Sequence, residues 1–136
     1  MPLQWSVSHP SRLVLIVAKG EVQAAEMVEL LAGLDREKAR PYRKICDISG
    51  LESRFSDDQM HALAAAVRAR EEATEVGPLA IVATNPETAR MARIFVDAAE
   101  LQRPIQLFDE QHLARRWLDR IDAVLKLVTV TPKGGG

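Results

Sequence analysis

The segment Lys44–Leu51 and the helix start that follows it constrain the fold of this chain more than any other feature. The segment begins as an apolar strand and ends in the polar residues of a short loop. The loop leads to Ser56, where Ser-Asp-Asp-Gln matches a capping box: the Ser56 hydroxyl accepts the backbone N–H of Gln59, and the Gln59 side chain reaches back. An apolar strand followed directly by a capped helix is the repeating unit of α/β folds.

The same alternation of strands and helices continues along the chain. An alternating apolar pattern predicts a first strand at residues 3–7, and a short turn connects it to the apolar strand Leu13–Ala18. Apolar residues at helical spacing then alternate with strand-like runs. Helices are predicted at about residues 21–38, from Ser56, after the Asn85-Pro86 pair and after the cap Asp109, and strands at 42–48, 79–83 and 105–108.

This order of elements predicts one α/β domain over residues 1–131, followed by a flexible tail at 132–136. Strand–helix–strand steps require right-handed crossovers and therefore parallel strands. The first strand is the exception, because a short hairpin makes its pairing antiparallel. We therefore expect a mixed, mostly parallel five-stranded sheet.

The end of the domain is open to two interpretations. Residues 122–131 continue the period of the last helix, but Leu127–Thr131 has the composition of a strand. The apolar run Val124–Val130 exceeds what a solvated tail carries, so we expect a homodimer. The alternative is a monomer whose tail folds back on its own core.

Composition excludes several classes of function. The chain has 136 residues, with 18 Lys and Arg against 19 Asp and Glu, whereas nucleic-acid binders carry a basic excess. The densest basic run, from Arg36 to Lys44, lies at the end of the first predicted helix, where cations complement the helix dipole. The longest apolar run is too short to cross a membrane, and no leader segment is visible. We therefore expect a cytoplasmic protein with no nucleic-acid partner and no membrane insertion.

The sequence contains no recognisable catalytic or cofactor-binding motif. The three histidines lie far apart, and neither a glycine-rich phosphate loop nor a nucleophile elbow occurs. The single cysteine, Cys46, excludes an internal disulfide and is expected to be a core residue of its strand. We therefore expect a non-enzymatic protein that needs no cofactor and no metal.

The carboxyl ends of parallel strands meet at one edge of a sheet, and ligands bind there in open α/β proteins. We expect the loops at this edge and the start of the second helix to form a polar binding rim. The alternative is that these residues serve only as loop and helix-cap residues. The predicted site residues are Asp47, Ser49, Ser56, Asp57, Asp58, Thr84 and Asn85.

Two segments resemble the STAS family, which contains the anti-sigma-factor antagonists and the C-terminal domains of sulphate transporters. Val17–Val22, with the sequence Val-Ala-Lys-Gly-Glu-Val before an amphipathic helix, resembles the family's strand–Gly-Glu-Leu–helix opening. Ile45–Ile48 with its loop and capped helix resembles the segment that carries the regulatory phosphoserine. The resemblance spans residues 12–120 and implies a STAS-like βα superhelix with helices mainly on one face. It also implies a protein partner, for which a kinase-like anti-sigma factor is the model.

The sequence departs from this family at the regulatory serine. Switchable antagonists carry Asp-Ser-Ser-Gly there, whereas this chain has Phe-Ser-Asp-Asp-Gln at residues 55–59. Ser56 is the remaining candidate for phosphorylation. A phosphate would be favoured by the helix N-terminus and repelled by the carboxylates of Asp57 and Asp58. The simpler interpretation is that these three residues cap the helix.

These observations favour a regulatory binding module that engages a protein partner through residues 55–60. The alternative is a binding protein for a small apolar or lipid-like ligand, because the aliphatic, alanine-rich interior has few aromatic residues to fill it. That alternative requires a cavity of about 300 Å³ or more between sheet and helices, the low end for ligand pockets. An enzyme would need a perturbed acid–base pair in a cleft, for which the sequence offers no candidate.

Overall fold

A computed structural model describes residues 3–73, 77–99 and 103–121 of the chain. A fourth helix, α4, begins at residue 111 and is described to residue 121. The predicted tail, the ambiguous segment 122–131 and the apolar run behind the homodimer prediction lie outside the described residues. The other elements are β1 (Leu3–Ser8), β2 (Leu13–Gly20), α1 (Ala24–Arg36), β3 (Arg43–Leu51), α2 (Asp57–Ala73), β4 (Leu79–Val82), α3 (Pro86–Ala99) and β5 (Ile105–Phe108).

The five strands form one sheet in the order β1-β2-β3-β4-β5. The β1–β2 pair is antiparallel and the other three pairs are parallel. A short hairpin turns the chain between β1 and β2, whereas a helix separates each pair of parallel strands, as a crossover connection requires. The predicted mixed, mostly parallel sheet is confirmed, and β3 lies at its centre.

The helices divide unequally between the two faces of the sheet. Helices α1, α2 and α3 bury the larger apolar cluster against one face. On the other face, Ala114 and Leu118 of α4 pack in a smaller cluster with Ile45 of β3. Because successive side chains of a strand point to opposite faces, Ile45 faces α4 while its neighbours in β3 face the three-helix side. The helices therefore lie mainly on one face, as the family resemblance implies.

The third strand is longer than the sequence predicted, because Ser49, Gly50 and Leu51 belong to β3 and not to a loop. A register shift between Val17 and Lys19 lets β2 continue beside them, so that Gly50 lies opposite Lys19. The Glu52 amide then donates to the Gly20 carbonyl at 2.8 Å. Pairing with the neighbouring strand thus overrides the weak strand preference of Ser and Gly. The connection to α2 is reduced to residues 52–56.

Two helix boundaries also differ from prediction. Helix α1 begins at Ala24 and ends at Arg36, which is shorter than the predicted span of about 21–38. The first helical residue of α4 is residue 111, so Glu110 and not Asp109 holds its N-cap position. The helix starts predicted from Ser56 and from the Asn85-Pro86 pair are confirmed. Within the described ranges, no helix has both the length and the apolar character that a membrane span requires.

We predict that Gly77→Ala lowers the free energy of unfolding by about 1–3 kcal/mol, the usual range for overpacking. A Cβ atom at Gly77 would lie well inside contact distance of the carbonyl oxygens of Pro41 and Tyr42, which are backbone atoms and cannot rotate away. The measurement is urea unfolding of the variant against wild type. Gly50→Ala is the matched control, because its Cβ would meet the flexible Lys19 side chain at 3.1 Å. Equal losses in the two variants would contradict this prediction.

Candidate functional site

The structure separates the predicted site residues into groups on opposite sides of the sheet. Asp47 and Ser49 lie towards α4. The Asp47 carboxylate accepts hydrogen bonds from the Ser49 amide at 3.0 Å and the Ser49 hydroxyl at 2.5 Å. Its second oxygen accepts from Nε2 of Gln111 in α4 at 3.0 Å. The carboxylate therefore joins β3 to α4.

The start of α2 lies on the side of the three-helix layer. The capping box predicted at Ser56 is present: the Ser56 hydroxyl accepts from the Gln59 amide at 3.1 Å, and the Ser56 amide donates to the Gln59 side chain at 2.8 Å. Asp57 accepts from Arg90 of α3 at 3.2 Å, and Asp58 is exposed. This geometry leaves the acidic pair in contact with water.

Thr84 and Asn85 immediately precede α3. The Asn85 side chain accepts from the Thr88 amide at 2.9 Å, as a helix cap does, and Thr84 is exposed. Asp47 and Ser49 are thus near α4, Ser56, Asp57 and Asp58 are at the start of α2, and Thr84 and Asn85 are at the start of α3.

An apolar cavity of about 160 Å³ lies between the sheet and helices α1–α3. Its wall is built almost entirely of aliphatic and aromatic side chains. Strands β1–β4 and all three helices of this layer contribute to it, for example through Leu3, Ile16, Leu30, Ile48, Met60, Ile81 and Phe95. The sequence pattern predicted a buried face for each of these elements, and the small number of aromatic residues led to the alternative in which these faces leave space between them.

The size of the cavity decides what it can hold. It is below the volume of about 300 Å³ at which pockets for drug-sized ligands begin. The requirement stated for the alternative of an apolar or lipid-like ligand is therefore not met, and a drug-sized or lipid-sized ligand exceeds the cavity. A cavity of about 150 Å³ lined by similar side chains binds benzene, so a compact ligand of that size fits. A larger depression, of about 520 Å³, opens on the surface of β1 and β2 and is lined partly by the polar side chains of Gln4 and Ser6.

Cys46 lines the cavity from β3. Burial raises the pKa of its thiol to about 12, and the neighbouring Asp47 carboxylate acts in the same direction. The thiol is therefore protonated at neutral pH, which makes it a weak nucleophile. Its place in the cavity wall agrees with the expected core role. Within the described residues, no group of three or more His, Cys, Asp or Glu side chains is arranged to hold a metal ion.

One end of the cavity is polar. Asp35 at the end of α1 lies between two guanidinium groups, those of Arg40 and Arg70, and we call these three residues the Asp35 triad. Arg40 donates from Nε and Nη2 to the two carboxylate oxygens, and Arg70 donates from Nη2 to one of them. The two arginines are joined further by the bond from Arg40 Nη1 to the Arg70 carbonyl, at 3.2 Å. The triad thus ties α1 to α2 across the end of the cavity.

Lys44 and Arg103 line the same end of the cavity. Lys44 is buried, and its Nζ donates to the carbonyls of Arg40 and Tyr42 at 2.6 and 2.7 Å. Arg103 donates from Nη1 to the Gly77 carbonyl at 3.1 Å. These residues precede or begin β3 and β5, so the polar end lies at the amino edge of the parallel strands. The predicted rim was at the opposite, carboxyl edge.

The sequence contained a signal for this polar end. Lys44 alternates with Cys46 and Ile48 in β3, so the three share a face of a central strand. A lysine on a core face indicates a polar contact within the interior. The basic run from Arg36 to Lys44 was predicted instead to complement the dipole of the first helix, so the buried contact of Lys44 was not predicted. Arg70 gave no such signal, because its partner Asp35 is 35 residues away.

The Asp35 carboxyl is held in its ionised form. Its hydrogen bond from Arg40, and the hydrogen bond and charge of Arg70, lower the pKa of Asp35 below its ordinary value, although partial burial opposes this shift. At neutral pH the triad therefore carries two positive charges and one negative charge.

Comparison with known proteins shows the fold. No family model matches the chain, and no curated protein matches it in sequence. Among solved structures, the chain is similar to an uncharacterised protein of the DUF3478 family from Shewanella loihica PV-4, described as having a SpoIIAA-like fold. The TM-score is 0.57 at 15% identity, and the match covers 85% of this chain and 91% of that chain. The chain therefore has a SpoIIAA-like, or STAS-like, fold, and the suspected resemblance is confirmed at the level of fold.

We predict that Asp35→Asn lowers the melting temperature near neutral pH and that the difference from wild type disappears in acid. A carboxyl whose pKa is lowered by folding stabilises the protein fully above the pKa of the unfolded chain, about 3.9. That stabilisation is lost as the pH falls through the lower pKa of the folded state. The measurement is thermal unfolding from neutral pH downwards. Asp97→Asn, at an exposed position of α3, is the control. A difference in melting temperature between Asp35→Asn and wild type that widens in acid would contradict the prediction.

Proposed function

We propose that this chain is a binding protein that holds one small, compact apolar ligand between its sheet and helices α1–α3. The observation that supports this function is the apolar cavity of about 160 Å³. Well-packed interiors contain few voids larger than a water molecule, because unfilled space forfeits dispersion contacts. A ligand in this cavity would restore those contacts.

The cavity limits both the size and the affinity of such a ligand. A benzene-sized molecule has six non-hydrogen atoms. At roughly 0.7–1 kcal/mol per atom, between the bounds for very small and drug-sized ligands, it gains about 4–6 kcal/mol on binding. This corresponds to a Kd between about 1 mM and tens of micromolar. The protein therefore binds metabolite-sized compounds reversibly.

We predict that benzene raises the melting temperature of the wild-type protein and that Ala92→Leu abolishes this effect. Ala92 is a buried residue of α3 in the cavity wall, and three added carbons would occupy the space that the ligand needs. The measurement is thermal unfolding with and without saturating benzene. Ala65→Leu, at an exposed position of α2, is the matched control and should keep the response.

Ala18→Val, on the opposite wall of the cavity, is a second and milder filling variant, to be used if Ala92→Leu does not fold. It should reduce the shift caused by benzene. A wild-type protein whose melting temperature does not change in benzene would overturn the proposed function.

A second candidate function is the regulatory engagement of a protein partner through residues 55–60, as in anti-sigma-factor antagonists. The exposure of Asp57 and Asp58 at the start of α2 favours it, because both carboxylates contact water, although Asp57 also accepts from Arg90. Ser56 is exposed beside them, and its phosphorylation stays a prediction. A kinase-like anti-sigma factor is the class of partner that the fold suggests.

We predict that the double substitution Asp57→Lys, Asp58→Lys abolishes capture of a partner by this surface. Reversing two charges replaces attraction to a basic surface with repulsion, which lowers affinity by about tenfold or more. The measurement is quantitative affinity capture from cells that produce the protein. The control, Glu29→Lys with Asp97→Lys, makes the same charge change at exposed positions of α1 and α3. A captured protein that binds all forms equally would show that residues 55–60 are not the contact.

A further inference from the structure

We infer that the ligand of the cavity is a small monoanion, with a carboxylate head at the Asp35 triad and an apolar body inside the cavity. This inference rests on the proposed function and adds the chemical class of the ligand. It follows from where the cavity is polar, which groups are there, and how much water they contact.

The first step concerns charge. Two guanidinium groups share one carboxylate in the triad, so the cluster has one excess positive charge. A single negative head group placed here meets attraction, whereas an ammonium head meets repulsion.

The second step concerns hydrogen-bond donors. A guanidinium has five N–H donors. Arg40 uses all three of its nitrogens, two towards Asp35 and one towards the Arg70 carbonyl. Arg70 donates from Nη2 alone, to Asp35 and to the Leu31 carbonyl at 2.9 Å. Within the described part of the chain, Nε and Nη1 of Arg70 thus remain for a further acceptor, and a carboxylate oxygen is the acceptor that a guanidinium binds most strongly.

The third step concerns solvent. The side chains of Asp35, Arg40 and Arg70 are 36%, 22% and 28% exposed, and all three also line the cavity. The triad therefore lies between the apolar interior and water. A carboxylate bound there keeps part of its hydration, so the large penalty for burying a charge does not apply. The apolar body of the same molecule leaves water for the cavity, which is favourable.

Three ring compounds that differ only in the head group test this inference: benzoate, benzyl alcohol and benzylamine. Each carries a benzene-sized body, so the cavity contributes similarly to all three. We expect benzoate to bind at least about tenfold more tightly than benzyl alcohol, because one charge-assisted hydrogen bond contributes that much affinity. We expect benzylamine to bind most weakly of the three. The affinities are measured by NMR titration at low ionic strength.

Arg70→Gln should reduce the ratio of the benzoate affinity to the benzyl alcohol affinity to about one, and this ratio is the readout because it cancels any general change in the cavity. Arg70→Lys should retain part of the preference, because it keeps the charge. Arg93→Gln, the same change at an exposed position of α3 outside the cavity wall, should keep the full preference. If Arg70→Gln does not fold, the wild-type protein gives a second measurement: raising the salt from about 20 mM to about 500 mM should weaken benzoate but not benzyl alcohol.

The outcomes separate this inference from the proposed function. If benzyl alcohol binds and benzoate binds no better, the cavity is a ligand site but the anionic head group is wrong. If benzoate is preferred equally by Arg70→Gln and by wild type, the triad is not the site of the head group and the inference is overturned. If none of the three compounds binds, both the inference and the proposed function are wrong.

Discussion

The pairing of β3 with strands on both sides is the constraint on which the rest of this structure depends. Because it lies at the centre of the sheet, both faces of β3 are covered, and alternate residues contribute to two different layers. Ile45 completes the small core under α4, whereas Lys44, Cys46 and Ile48 line the cavity under the three-helix layer. A shift of one residue in this register would exchange the two sets and place a lysine against α4.

The Asp35 triad is the second constraint, because it determines how α1 and α2 close the end of the cavity. Its arginines come from different segments, one before β3 and one near the end of α2, and the carboxylate of α1 joins them. Neutralising that carboxylate would leave two guanidinium groups facing each other across the cavity end. The same arrangement that connects the helices therefore also concentrates positive charge at the cavity, which links the stability of this end to the ligand class inferred for it.

The fold was predictable from sequence because its signals are local. The Ser56 capping box, the Asn85-Pro86 start of α3 and the apolar alternation of β1 each involve residues within a few positions of one another. The extension of β3 was missed because it depends on a register shift in β2, which no local pattern encodes. The triad was missed for the same reason, and the cavity was predicted only as an alternative, from the shortage of aromatic residues. Empty space and a bond between Asp35 and Arg70 are properties of helices packed together, not of either helix alone.

The segment at the start of α2 contributes residues to both of the proposed functions. Phe55 and Met60 line the cavity, while Ser56, Asp57 and Asp58 between them face solvent. The capping box holds this turn as one unit, because the Ser56 and Gln59 side chains bond to each other's backbone. A ligand that contacts Phe55 or Met60 from inside thus acts on the same turn that a partner would contact from outside. If the ligand binds one arrangement of that turn more tightly than another, thermodynamic linkage requires the partner's affinity to depend on the ligand by the same factor. Ligand binding and partner binding are therefore compatible functions of one STAS-like domain.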